Sequence, residues 1–224
     1  MTQTHLDEVP SSTPALDIWT QRLTRFVTAL VRWISVHWLL VANLSLGAYT
    51  GLPALAPVLM QTGYLRAANL LYTAFKPLCH QLPERSFFLF GQQLVYSYSE
   101  LSRFLGGAEV PARYIGAPVL GFKIAVCERD VAINLTMFLF GVVFIMLRRW
   151  FKPLPVKAFV AMIIPMAIDG TGQLIGLWTS TWWSRLGTGF LFGLACVWLT
   201  YPYVEQGMNE VRTETARALQ QWQR

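Results

Sequence analysis

A chain of 224 residues that is 54% hydrophobic and only 13% charged, with a mean hydropathy of +0.41, is not composed like a soluble domain. Such domains carry charge on about a quarter of their residues. The net charge of +6 sits in short basic clusters beside apolar runs, a placement that suits membrane topology and lipid headgroups and argues against nucleic acid as a partner.

Residues 1–32 read as a polar N-terminal tail followed by an interfacial helix. Met1–Ser12 is polar and contains Asp7 and Glu8, unlike a cleaved signal sequence. Ile18–Val31 is amphipathic and carries Arg22 and Arg25, as a helix lying on a membrane surface would. Residues 33–204 read as a four-span membrane domain. Trp33–Met60 contains no charged residue and is long enough to cross a hydrocarbon core of about 30 Å. Pro53 and Pro57 are expected to end or kink that first span.

The segment 63–126 has charges throughout and reads as a long outer loop. Leu65–Leu78 has helical periodicity but is too short to span, so an interfacial helix is expected there. Pro77 and Pro83 bracket a turn, and Phe87–Leu105 reads as a second interfacial helix. Gly106, Gly107, Pro111, Gly116 and Pro118 mark loop. The second span is Val131–Leu147, the third Ala158–Trp178, interrupted by Pro165, Asp169, Gly170 and Gly172, and the fourth Leu186–Val204. Gly187, Gly189 and Gly193 in the fourth span would let neighbouring helices approach closely. Residues 205–224 read as a polar C-terminal tail. The fold class is therefore all-α: a polytopic helical membrane protein with about four transmembrane helices, plus interfacial helices in the outer loop.

Basic residues precede span one, join spans two and three (Arg148, Arg149, Lys152, Lys157), and recur in the tail (Arg212, Arg217, Arg224). With four spans all three groups fall on one side, which should be the cytoplasm. The expected location is the cell membrane, with both termini cytoplasmic.

The residues able to do chemistry then converge on the outer side. Cys79-His80-Gln81 is followed by Glu84 and Arg85; Cys127-Glu128-Arg129-Asp130 opens span two. Asp169 and Gln173 share one face of span three, and Arg185 stands before span four. Asp169 is the sharpest signal, because an ionised carboxylate inside a span costs about 2.5–3.5 kcal/mol unless paired or hydrated. Its readings are a buried acid, base or cation ligand, or a structural ion pair with Arg129 or Arg185. Cys79, His80 and Cys127 admit a zinc or copper site, with Asp130 or Asp169 as a fourth ligand; a Cys79–Cys127 disulfide; or an activated nucleophile. Cys196 reads as packing, and His37 as a haem or chlorophyll ligand or a hydrogen-bonded helix residue. There is no phosphate loop, no G-x-S-x-G, no H-E-x-x-H and no dinucleotide fingerprint, so no reaction follows.

The order Cys-His-Gln-x-Pro-Glu-Arg-Ser-Phe from Cys79, Gly-Phe-Lys-x-Ala-x-Cys-Glu-Arg-Asp-x-Ala-Ile from Gly121, Pro-x-x-x-Asp-Gly-x-x-Gln from Pro165 and Ser-Thr-x-x-x-Arg-x-x-x-Gly from Ser180 resembles domain of unknown function family 2085. The resemblance runs from about Leu52 to Tyr203. It implies an integral membrane protein, and it implies that Cys79, His80, Arg85, Cys127, Arg129, Asp169, Gln173 and Arg185 belong to the family pattern. Asn134 departs from it, standing where close relatives are expected to carry Tyr.

Taken together, these residues lead to an expected outer-face polar site, metal-binding or redox-active. Cys79, His80 and Cys127 would contact a metal such as zinc or copper. Gln81, Arg85, Arg129, Asp169, Gln173 and Arg185 would line and orient whatever cofactor binds. The alternative is a non-catalytic accessory or assembly subunit, in which the same residues form a disulfide and an ion-pair network. Beyond the lipid bilayer, the expected partners are a larger membrane complex or further copies of the chain.

Overall fold

The structure is a computed structural model that describes the chain from residue 14 to residue 221; the first part of the expected N-terminal tail, and Arg224, lie outside the described residues. Six α-helices and one small sheet fall into two compact units: residues 39–204, and the residues up to Trp38 together with those from Glu205 onward.

The smaller unit is made from the N-terminal part of α1 (Pro14–Gln61) and the C-terminal part of α6 (Trp182–Gln221). Trp38 Nε1 donates to Glu205 Oε2 at 2.7 Å, and Arg212 Nε donates to the Ser35 carbonyl at 2.7 Å. Side-chain bonds across the pair thus hold these two segments together. The interfacial helix and the first span expected from sequence are in fact one helix of 48 residues, about 70 Å long at 1.5 Å per residue. The C-terminal tail likewise continues the helix of the last span.

In the larger unit, Pro53 and Pro57 lie inside α1 without ending it. A proline has no N–H for the carbonyl one turn earlier, so Pro57 leaves the Pro53 carbonyl without a helical donor. The Ala125 N–H fills the vacancy at 3.2 Å. Pro202 frees the Trp198 carbonyl in the same way, and the Leu154 N–H reaches it at 3.4 Å. Each proline opens a helix wall to a neighbouring loop.

The segment 63–126, expected to form the outer loop, is not all helical. After α2 (Leu65–Phe75) and a 3-10 turn at Pro83–Arg85, short strands β1 (Phe88–Leu89), β2 (Gly116–Ala117) and β3 (Gly121–Lys123) form an antiparallel sheet in the order β1-β3-β2. Phe88 pairs with Lys123, and Gly116 with Phe122. This corrects the expected interfacial helix over Phe87–Leu105, of which only α3 (Tyr98–Phe104) is helical. Two local features explain the difference. The chain folds back so closely that a Cβ at Gly91 would lie 1.9 Å from the Leu120 carbonyl oxygen. Ser97 starts the helix afresh with a capping box to Glu100. Phe88, Tyr96, Leu101, Val110 and Leu120 form the small core beneath.

Three further helices complete the unit's membrane-like part: α4 (Glu128–Leu147), α5 (Val156–Leu174) and the inner part of α6. Cys127 is the extended N-cap residue of α4, and Glu128 and Asp130 in its first turn suit the positive end of the helix. A Cβ at Gly193 would meet the Ile133 carbonyl oxygen at 2.6 Å, and one at Gly189 the Ala132 Cβ at 2.9 Å, whereas Gly187 faces open space. Two of the three glycines flagged in this helix therefore bring α6 against α4. By length and composition, α1, α4 and α6 can cross a membrane. The helix of the expected third span, α5, is not among these three; it carries Lys157, Asp169 and Gln173 within its 19 residues.

Candidate functional site

The start of α4 gathers the thiols. Cys79 Sγ, Cys127 Sγ and an Asp130 carboxylate oxygen all lie within 4.8 Å of one another. The Cys127 N–H donates to Cys79 Sγ at 3.2 Å, and Cys127 Sγ donates to Asp130 Oδ2 at 3.2 Å. The neighbouring Cys127 side chain holds the Cys79 thiol below its ordinary pKa against the opposing effect of burial. The Cys79 side chain, with burial, pushes Cys127 up. Cys79 is thus the sulfur prepared to be a thiolate, which is the form that binds metals and attacks electrophiles. Both cysteines are free, so the expected Cys79–Cys127 disulfide is not formed.

Two ion pairs tie α4 to the helices that follow it. Arg129 pairs with Asp169 through Nη2 and Oδ2. The other oxygen, Oδ1, accepts from Ser180 Oγ at 2.8 Å and Ser184 Oγ at 2.7 Å. Both carboxylate oxygens of Asp169 are engaged, and the structural reading of this acid is the one its surroundings match. Arg185 Nη1 meets Glu128 Oε2 at 2.7 Å, with the Glu128 side chain fully buried, and its Nη2 donates to the Ser180 carbonyl at 2.6 Å. Four buried atoms of this network have no partner among the described residues: Glu128 Oε1, Arg129 Nε, Gln173 Nε2 and Arg185 Nε. Gln173 and Arg185 line a cavity of about 790 Å³, with Arg85, Glu84 and the aromatic rings of Tyr96, Tyr98 and Trp182.

His80 and Gln81 point the outer segment elsewhere. His80 is outside the thiol group and lines a second cavity. Gln81 is buried with a positive φ of 53°, a conformation that a side chain adopts only when its surroundings insist. They do so through a closed ring of hydrogen bonds. Tyr72 Oη donates to the Lys123 carbonyl at 2.5 Å, Lys123 Nζ donates to the Gln81 carbonyl, and Gln81 Nε2 donates to the Tyr72 carbonyl at 2.8 Å. Burial pushes the Lys123 ammonium down to about 8. Sequence reasoning left Lys123 out of the site. The signal available was a lysine inside an apolar Phe-Lys-Ile-Ala-Val run. It also underrated Asp130, three residues beyond Cys127 on the same helical turn. His37, the other candidate ligand, has Nδ1 2.9 Å from the Trp33 carbonyl of its own helix.

The chain belongs to the family described as predicted membrane protein (DUF2085), whose model matches residues 118–199. That stretch contains Lys123, the start of α4, Asp169 and Arg185, and ends within α6. A relative from Methanocaldococcus jannaschii, described as an uncharacterized protein, is 31% identical over 135 residues, 59% of this chain and 67% of its own. No solved structure matches the chain.

Proposed function

We propose that this chain is a four-span membrane protein whose outer face holds a transition metal through Cys79, Cys127 and Asp130. The observation that carries the reading is the convergence of three ligand atoms from two distant segments within 4.8 Å. Two soft sulfurs and one carboxylate suit Zn²⁺, and three protein ligands leave a fourth position for water or a substrate. Tetrahedral zinc with bonds of about 2.3 Å sets sulfurs about 3.8 Å apart, so the ligand atoms need close by only about 1 Å. His80 plays no part in this set. Arg129, Asp169 and Arg185 act as the frame that fixes α4 beside α5 and α6.

The fourth span is α5. The pairing of Ser35 and Trp38 with Arg212 and Glu205 supports it, because α1 and α6 then enter the membrane from the same side and the number of crossings must be even. Basic residues at Arg148, Arg149, Lys152 and Lys157 support that side being the cytoplasm.

The test is zinc titration of the purified, reduced protein, read by elemental analysis after desalting and by the rate of thiol alkylation. One tightly held zinc that protects Cys79, and is lost in Cys79→Ser and in Asp130→Asn, is the expected result. Wild-type protein that retains no zinc, with alkylation unchanged by the metal, refutes the reading. A second reading, an accessory subunit without chemistry, draws on the complete engagement of Asp169 by Arg129, Ser180 and Ser184. It predicts co-purification with larger partners in mild detergent and indifference to zinc.

A further inference from the structure

The second cavity of the outer segment has a chemistry that the metal reading does not use. It encloses about 420 Å³ between the end of α2, the Cys-His-Gln loop, residues 112–115 and β3. That is within the range of small-molecule sites, about 300–1,000 Å³, and far more than a halide needs. Lys76, His80, Arg113 and Lys123 line it, with Asn69 and Thr73, and no carboxylate does. The acid nearest in influence to Lys123 is Glu84, which lines the other cavity.

Lysines and arginines on a surface are ordinarily solvated and carry no message. Here three facts depart from that. The side chains of Lys76, His80 and Arg113 make no hydrogen bond or ion pair with any described residue, although all three border one cavity. One cation beside the C-terminus of α2 would suffice to offset the helix dipole. Lys123 is only 1% exposed, and its ammonium, which has three donors, makes a single hydrogen bond, to Gln81. A buried ammonium with two spare N–H groups, beside a guanidinium, a second ammonium and an imidazole, is the arrangement that tetrahedral oxyanions select.

We propose that the cavity between Lys76, His80, Arg113 and Lys123 binds a phosphate group. Lys123 is its floor, Lys76 and Arg113 are the charges at its rim, and His80, Asn69 and Thr73 supply further donors. The strained Gln81 backbone is then explained as the device that keeps Lys123 in the wall. Two sources present the same chemistry: a phosphate-bearing small molecule from solution, and the headgroup of an anionic lipid. Leu70 and Leu78, exposed at 70% and 60%, flank the residues of the cavity in sequence and would suit a bilayer surface.

The experiment uses the full chain, purified in detergent and also reconstituted in nanodiscs. Inorganic phosphate is titrated calorimetrically, and retained lipid is counted by ³¹P NMR in discs of phosphatidylcholine with and without phosphatidylglycerol. The variants are the rim pair Lys76→Gln/Arg113→Gln, the floor Lys123→Met, and Arg103→Gln as a control away from the cavity. Wild type is expected to bind one phosphate group, with affinity falling at least tenfold in the rim pair and unchanged in Arg103→Gln. Saturation by inorganic phosphate identifies the soluble source; phosphatidylglycerol that phosphate does not displace identifies the lipid. The proposal is overturned if wild type binds neither above the phosphatidylcholine background, or if the rim pair binds as wild type does. Because the rim side chains bond to no described residue, their loss should leave the fold intact, and circular dichroism of the pair checks this.

Discussion

Replacing Arg185 by Met removes one half of the buried ion pair and leaves the other half stranded. In the native protein Glu128 has no exposed surface, one oxygen on Arg185 and the other without a partner. With Arg185 gone, both oxygens lack a partner and the Ser180 carbonyl loses its donor as well. Breaking a buried pair from one side costs about 3–5 kcal/mol. For a chain of this length each kcal/mol moves the unfolding midpoint by about 2–4 °C, so Arg185→Met should unfold about 6–20 °C below wild type. Glu128→Gln should cost less, because Arg185 keeps the Ser180 carbonyl and a neutral acceptor. Glu128→Leu/Arg185→Met removes both charges and should recover most of the loss. Tryptophan fluorescence during heating in detergent is the assay. The reasoning fails if Arg185→Met melts within 2 °C of wild type, or if the double variant is no more stable than the single one, with those thresholds set at roughly the resolution of the scale used.

Other consequences are quicker to check. Iodoacetamide at neutral pH should modify Cys79 before Cys127, since each side chain acts on the other to lower the first and raise the second; Cys127→Ala should slow the reaction of Cys79, and peptide mapping reads both. Lys123 releases its proton near 8 in the folded chain against 10.5 when unfolded. The unfolded state therefore binds more protons between those values, and stability should rise across that window by at most about 3 kcal/mol. Chemical denaturation at several pH values tests the rise, which Lys123→Met should abolish. Gly193→Ala pushes a methyl group against the Ile133 carbonyl and should destabilise by about 1–3 kcal/mol. Gly187→Ala, facing open space, should not, and melting of the two variants side by side decides the matter.

The helices that meet lipid were plain in the sequence because hydrocarbon imposes a long uncharged run, and Trp33–Met60 and Val131–Leu147 obey that rule. Their extent was not plain. Nothing in local pattern says that Ile18–Val31 joins the next segment without a break, and the weak helical pattern of the polar tail does not say that it continues the helix of the last span. Pro57 does not end its helix, and the donor that meets the carbonyl it leaves free comes from Ala125, far along the chain. Phe87–Leu105 misled because its apolar spacing resembled a helix, while the close approach at Gly91 and the partner strand at Lys123 are tertiary facts. At the site, the structure brings Cys79 and Cys127 together and sets Asp169 against Arg129, one of the two arginines the sequence offered it. The separation of His80 from the thiols was not legible: adjacent residues on a turn point in different directions, and only the left-handed backbone at Gln81 reveals where the turn goes.

The ring through Tyr72, Gln81 and Lys123 also dictates a schedule. Its bonds bridge 51, 42 and 9 residues of chain, and contacts that far apart come late because loop closure must precede them. A ribosome that has finished Gln81 must deliver 42 more residues, the last of them the lysine that fills its carbonyl. During that interval the Cys-His-Gln turn lacks the bond that holds its shape, and Cys79 is a loose thiol. The arrival of β3 supplies the missing ammonium, locks the turn and brings Cys127 up behind it within the same few residues. Assembly of the outer face is therefore gated by one lysine, and a chain truncated before residue 123 should present this segment to proteases however well its first helix is inserted.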